Sequence, residues 1–217
     1  MAEKIWIPKS KDDLIKLINA NISLSCIDTS LITDMSEIFK YSDRTDFSGL
    51  ENWNVSNVTT MKDMFLRAKH FNHNINAWDT SKVVDMDGMF YGAVSFNQPL
   101  DRWNVANVEN MDCMFCEAKS FNQNINSWDT SSVRSMATMF AVAKNFNQPL
   151  DKWNVANVEN MGCMFSCATL FNQNLDSWNV REEAIKSSMF EKTQLEANQT
   201  LPKWFQKFLA EKTQKES

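Results

Sequence analysis

The sequence predicts an α/β repeat protein, an elongated solenoid whose coils each supply one short parallel strand and one short helix, closed by a helical cap at either end. Three observations predict it. Trp53, Trp78, Trp103, Trp128, Trp153 and Trp178 stand 25 residues apart, and Phe65, Phe90, Phe115, Phe140, Phe165 and Phe190 keep the same interval. A methionine column, Met64 to Met189, precedes those phenylalanines. A fixed period of this length marks coils that bury their apolar residues against one another. The chain also holds only four Gly and four Pro in 217 residues, so no flexible linker interrupts the array.

The elements follow in order. Residues 1–24 read as an N-terminal cap, in which Ile5 and Ile7 alternate around Trp6 as a strand would. Ser10, with Asp13 three positions on, opens a helix whose apolar face is Leu14, Ile15, Leu17 and Ile18. Residues 25–192 read as about seven coils. The first, Ile27 to Phe39, carries an extra residue near Ser42-Asp43-Arg44-Thr45. The last puts Glu183 in the valine column and Lys186 in the first methionine column, as terminal repeats do when one face meets no neighbour. Residues 193–217 read as a capping helix, opened by Thr200-Leu201-Pro202, with Trp204, Phe205, Phe208 and Leu209 on one face.

Within a coil two periodicities share the 25 residues. Trp103 and Val105 alternate with polar Arg102 and Asn104, the pattern of a half-buried strand. Met111, Met114, Phe115 and Ala118 are spaced i, i+3, i+4, i+7, the stripe of a two-turn helix. The residue before that stripe is Thr60, Asp85, Asn110, Ser135 or Asn160, all good N-caps. Asn72, Asn97, Asn122, Asn147 and Asn172 follow the second phenylalanine and predict an asparagine ladder between coils. A 50-residue period overlies the first: Trp103 to Met111 recurs unchanged as Trp153 to Met161, which duplication alone can explain.

The string Phe96-Asn97-Gln98-Pro99-Leu100, then Trp103-Asn104-Val105, Val108-Glu109-Asn110-Met111 and Met114-Phe115-Cys116-Glu117-Ala118, resembles the 25-residue repeat of the BspA-like leucine-rich-repeat surface proteins, abundant in mycoplasma lipoproteins and other bacteria. The match covers roughly residues 25 to 192. The resemblance implies a right-handed, leucine-rich-repeat-like solenoid, and adhesion or binding to proteins at a cell surface or after secretion. The chain departs from those relatives at its start, where Met1-Ala2-Glu3-Lys4-Ile5-Trp6-Ile7-Pro8 lacks the layout of a signal peptide, so the residues themselves predict a cytoplasmic protein. Five cysteines, an odd number, suit a reducing compartment. No segment approaches the roughly 18 apolar residues that span a bilayer. A net charge of −5 without a Lys/Arg cluster argues against nucleic acid.

No enzyme is expected. The sequence holds no phosphate-binding glycine loop and no nucleophile near a histidine base, and no cofactor or metal is implied. His70 and His73 flank Phe71 in a loop, and Asp85-Met86-Asp87-Gly88 lacks the spacing and closing Glu of a calcium loop. The expected function is a non-catalytic module that holds a protein partner, whose identity and stoichiometry the sequence leaves open. Its candidate surface is the outer face of the strands: Arg102, Asn104, Ser127, Asp129, Lys152, Asn154, Ser177 and Asn179. The competing role for Asn104 and Asp129 is to fix the turn after the strand. The alternative function is thiol redox or metal chemistry at Cys113, Cys116, Cys163 and Cys167. Cys113 and Cys163 fall in the first turn after an N-cap, where a helix N-terminus lowers a thiol pKa. A whole coil lies between the two cysteine pairs, too far for one zinc ion with Zn–S bonds near 2.3 Å.

Overall fold

The computed structural model describes residues 4–216, so Met1–Glu3, the start of the segment read for a leader, and Ser217 lie outside the described residues. At the ends of the chain are α1 (Lys11–Asn19), a short α2 (Gln194–Ala197) and α3 (Lys203–Glu216). Ser10 caps α1, its hydroxyl accepting from the Asp13 N–H. Between α1 and α2 the chain winds in coils whose apolar columns form one continuous core, from Ile27 to Leu195.

Those coils contain neither the predicted strand nor the predicted helix. Among the described residues no strand occurs. Neighbouring coils instead meet at single parallel bridges, Asp34 to Thr60 to Asp85 to Asn110 to Ser135 to Asn160 to Ile185, one residue per coil. The α/β, leucine-rich-repeat description is therefore overturned: these are coils of consecutive turns.

The backbone shows why a helix cannot form over 111–118. Cys113 and Glu117 have φ of 54° and 58°, in the left-handed region that no right-handed helix visits. The pattern recurs at Glu37 and Tyr41, Asp63 and Arg67, Gly88 and Gly92, Thr138 and Val142, Cys163 and Cys167, and Ser188 and Lys192. The amides then divide between two tasks. Those of Met111, Cys113, Phe115 and Glu117 donate to the carbonyls of Ser135, Ala137, Met139 and Ala141 in the next coil, at 2.8–2.9 Å. Those of Met114, Cys116 and Ala118 close turns onto Met111, Cys113 and Phe115, at 3.0–3.3 Å. A helix would turn the amides after its first turn back within the coil, so Phe115 and Glu117 could not join it to the next. Turns of three and four residues bury the same i, i+3, i+4, i+7 positions, which is why the spacing read as helical.

The N-cap column keeps its chemistry in this setting. The side-chain oxygens of Asp85, Asn110 and Asn160 accept from the N–H two residues on, at 3.0 Å, so they close local turns instead of capping helices.

The Trp103–Val105 segment carries no backbone ladder to its neighbours. The indole centroids of Trp78 and Trp103, of Trp128 and Trp153, and of Trp153 and Trp178 lie 6.3–6.5 Å apart, wider than the roughly 4.8 Å of paired strands. Each indole N–H instead donates to a carbonyl in the preceding coil, as Trp103 does to Ile75 and Trp128 to Leu100, at 3.1 and 2.9 Å. Inside, Phe65, Phe90, Phe115, Phe140 and Phe165 stack at 5.5–5.7 Å with planes within 9°.

The C-terminal helix takes over this register. Trp204 stacks on Trp178 at 6.4 Å, and its indole donates to the Leu175 carbonyl at 2.9 Å, as a seventh tryptophan rung would. Phe205 is buried edge-on against Phe190. Beside it, Lys186 stands where earlier coils hold methionine. Its buried ammonium donates to the carbonyls of Glu182 and Ala184 and lies 4.8 Å from the Phe208 ring. Burial pulls its pKa below the usual lysine value, while Glu182 and Glu211 oppose that pull.

Candidate interaction face

The tryptophan side of the stack is joined by side chains, and the joints explain the 50-residue period. Coils of two kinds alternate. The Thr29, Thr80 and Thr130 hydroxyls donate to the carbonyls of Asn54, Asn104 and Asn154 in the following coil, at 2.8–2.9 Å. In return the Asn57, Asn107 and Asn157 amides donate to the carbonyls of Ser30, Ser81 and Ser131, at 2.7–3.0 Å. Threonine coils and asparagine coils thus clasp each other in pairs, so the period has a structural role besides any duplication.

All eight residues expected on the binding face are exposed, on a surface of turns and not of strands. They divide into two sets. Asn104, Asp129 and Asn154 accept from the N–H groups of Ala106, Ser131 and Ala156 at 3.1 Å, which is the turn-fixing role. The Ser131 hydroxyl and N–H hold Asp129 below the usual carboxylate pKa. Asn179 follows in the same column. The second set precedes the tryptophans: Arg102, Ser127, Lys152 and Ser177. The serine hydroxyls donate to the carbonyls of Asp101 and Asp151, at 3.4 and 3.0 Å. The backbone N–H groups of Arg102 and Lys152 are each held by an asparagine oxygen, Asn76 and Asn126, at 3.1 Å. Among the described residues, the Arg102 and Lys152 side chains make no hydrogen bond or ion pair. A cleft of about 340 Å³ opens beside this set, lined by Pro99, Asp101, Gln123, Asn126, Ser127 and Lys152.

Sequence reasoning missed Lys203. It directly precedes Trp204, its backbone N–H is held by Asp176 at 2.8 Å just as those of Arg102 and Lys152 are held, and its side chain is exposed. The signal was present in the dipeptide Lys152-Trp153, which returns as Lys203-Trp204.

A larger cavity, about 630 Å³, lies where the extra residue of the first coil meets the N-terminal cap, between Ser23, Ser25, Asp43, Arg44 and Glu51. Arg44 ties its rim together through Asn21 and the Asp46 carbonyl. None of the expected site residues lines it.

The asparagine ladder is present, at exposed or half-buried positions. Asn72, Asn97, Asn122 and Asn147 each accept from the backbone N–H of the asparagine one coil on, at 2.9–3.0 Å.

The cysteines do not sit in the helical setting from which a lowered thiol pKa is expected. No helix N-terminus lies before Cys113 or Cys163, since both sit in turns at positive φ. The Cys113 sulfur lies 2.9 Å from the Thr138 hydroxyl, and burial raises its pKa. Burial pushes Cys116 up to about 12. Among the described residues no group of three or more His, Cys, Asp or Glu side chains could hold a metal ion.

These features define a class: a repeat protein of stacked 25-residue coils whose variable surface lies outside a fixed aromatic core. The chain belongs to the family described as "Mycoplasma protein of unknown function, DUF285", which matches residues 13–119 and again residues 100–204. That match supports a mycoplasma-type repeat family, and the turn-built coils do not support its leucine-rich-repeat form. No curated protein and no solved structure matches the chain. No helix among the described residues is long and apolar enough to cross a membrane.

Proposed function

We propose that the protein is a non-catalytic module that binds a protein partner through the tryptophan side of the stack. One observation carries this reading. Arg102 and Lys152 are exposed cations without intramolecular partners, held in register by Asn76 and Asn126 beside a polar cleft. Their backbone is already fixed on a rigid scaffold, so binding has only the side chains themselves left to order. The resemblance to BspA-like surface proteins favours an adhesive role, and the overall negative charge favours protein over nucleic acid.

The test is affinity capture from the source organism's extract and from material it adheres to, read by mass spectrometry. The wild type is set against a double variant, Arg102→Glu with Lys152→Glu. A partner held by the wild type and lost by the variant, at equal melting temperature, supports the reading. Equal retention by both proteins refutes it.

A further inference from the structure

Building on this proposed binding face, we infer that Lys203 completes it and that the occupant is an extended acidic segment of a partner protein, lying along the stack axis. From Trp103 to Trp204 the position before the tryptophan reads Arg102, Ser127, Lys152, Ser177 and Lys203, a cation at every second coil with a serine between, whereas the two coils before them hold Asn52 and Ala77 there, so the row occupies the C-terminal part of the stack. The register is set by structure, because the same backbone N–H of all three cations is held by a side-chain oxygen one coil before, on Asn76, Asn126 and Asp176. The C-terminal helix therefore does more than close the core: through Trp204 it delivers a third cation to the row. Among the described residues none of the three has an ion-pair partner.

Two features select the occupant. Cations two coils apart are about 10–13 Å apart, taking each coil between the roughly 4.8 Å of paired strands and the indole separation of 6.3–6.5 Å. A polyproline-II chain covers about 9 Å in three residues and an extended strand about 13 Å in four, and both return a side chain to the same face at those steps. A peptide with a carboxylate at every third or fourth residue therefore matches the row. Asp101 and Asp151 lie beside Arg102 and Lys152, their carboxylates held by the Asn76 and Asn126 amides. These carboxylates repel any anion that falls between the cations, so an occupant whose charges lie only opposite the cations is favoured over a uniform polyanion.

Fluorescence anisotropy tests this with labelled peptides bearing three glutamates at every third position, at every fourth position, or adjacent, on one neutral background. A spaced peptide should bind the wild type, and the adjacent one at least about fivefold more weakly. Arg102→Glu, Lys152→Glu and Lys203→Glu should each weaken the spaced peptide by about three- to fivefold. Glu suits the first turn of a helix, so the last variant keeps its fold. Lys119→Glu, at an exposed position elsewhere around the coil, should change nothing.

Equal binding of spaced and adjacent peptides, no binding at all, or indifference to Lys203→Glu overturns the inference. So does tighter binding of a heparin fragment or anionic vesicles through the same three residues. If capture in the preceding experiment still depends on Arg102 and Lys152, only the acidic-segment inference falls. If it does not, the binding face falls with it.

Discussion

The two sides of a single coil are held together by different parts of the chain. Over 111–118 the backbone does the joining, with alternate amides reaching the next coil whatever side chains they carry. Over 103–107 the joining falls to side chains: an indole, a threonine hydroxyl and an asparagine amide. The difference sets how strictly each side constrains its residues. One turn-side column holds Asp63, Gly88, Cys113, Thr138, Cys163 and Ser188, six positions with five chemistries, whereas the tryptophan column does not vary from Trp53 to Trp178. Tolerance follows where the main chain does the bonding and the side chain points outward; invariance follows where the side chain fills the core, as in the Met64 and Phe65 columns, or, as in the tryptophans, both fills it and makes the bond.

The largest expected effect follows directly. Trp128→Ala should cost about 3–5 kcal/mol, because it leaves a cavity in the core and strips the Leu100 carbonyl of its donor. Cys163→Ser on the turn side should cost less than about 1 kcal/mol, since nothing in the ladder uses its sulfur. Urea unfolding of both variants measures the contrast. Comparable losses would show that the turn side is also specified by its side chains.

A second consequence concerns reactivity. Half-burial in the turn ladder holds the Cys116 thiol at about 12 against an ordinary value of 9.0. At pH 8 this leaves about a thousandfold less thiolate than in the unfolded chain. Native protein should therefore label at Cys116 with an aromatic disulfide reagent only as it unfolds. The sign for stability follows from the same shift. The folded state keeps its proton while the unfolded state loses it above pH 9, so this group's contribution declines between pH 9 and about 12. Replacing Cys116 by Ala, the residue that Ala141 supplies one coil on, should remove that decline. Fast native labelling at pH 8 would mean the thiol is not shielded.

The contrast between the two sides also governs what could be read from the sequence. Where identity carries the bond, reading succeeded in part: the tryptophans are buried, and the asparagine ladder exists. Where spacing carries the information, it misled, because turns of three and four residues and a helix bury the same positions. The left-handed residues that decide between them are mostly Asp, Glu, Arg, Cys, Thr and Ser, which announce nothing. Gly88 and Gly92, four apart in one coil, are the single hint. Their substitutes in other coils adopt positive φ because the coil-to-coil ladder over-determines the backbone there. Of the candidate face, Arg102 and Lys152 were legible as exposed charges. Lys203 was hidden because Trp204 was assigned to the apolar face of a helix and not to a column of the repeat.

The smallest effect is also the one with the opposite sign. Ser188 is exposed, has φ of 53°, and its side chain makes no hydrogen bond among the described residues. A left-handed backbone at a residue with a Cβ is strained, whereas glycine adopts it without that strain, although its unfolded chain has more freedom to lose. Ser188→Gly should therefore stabilise the protein by about 0.5–1 kcal/mol. Thr138, with nearly the same φ of 55°, makes an unsuitable test, because its hydroxyl meets the Cys113 sulfur and the Ala137 carbonyl and those contacts would be lost too. A rise in the urea midpoint for Ser188→Gly would show that the turn ladder holds its residues against their own backbone preference. A fall would mean that the serine side chain stabilises the last coil in a way the main-chain bonding does not require.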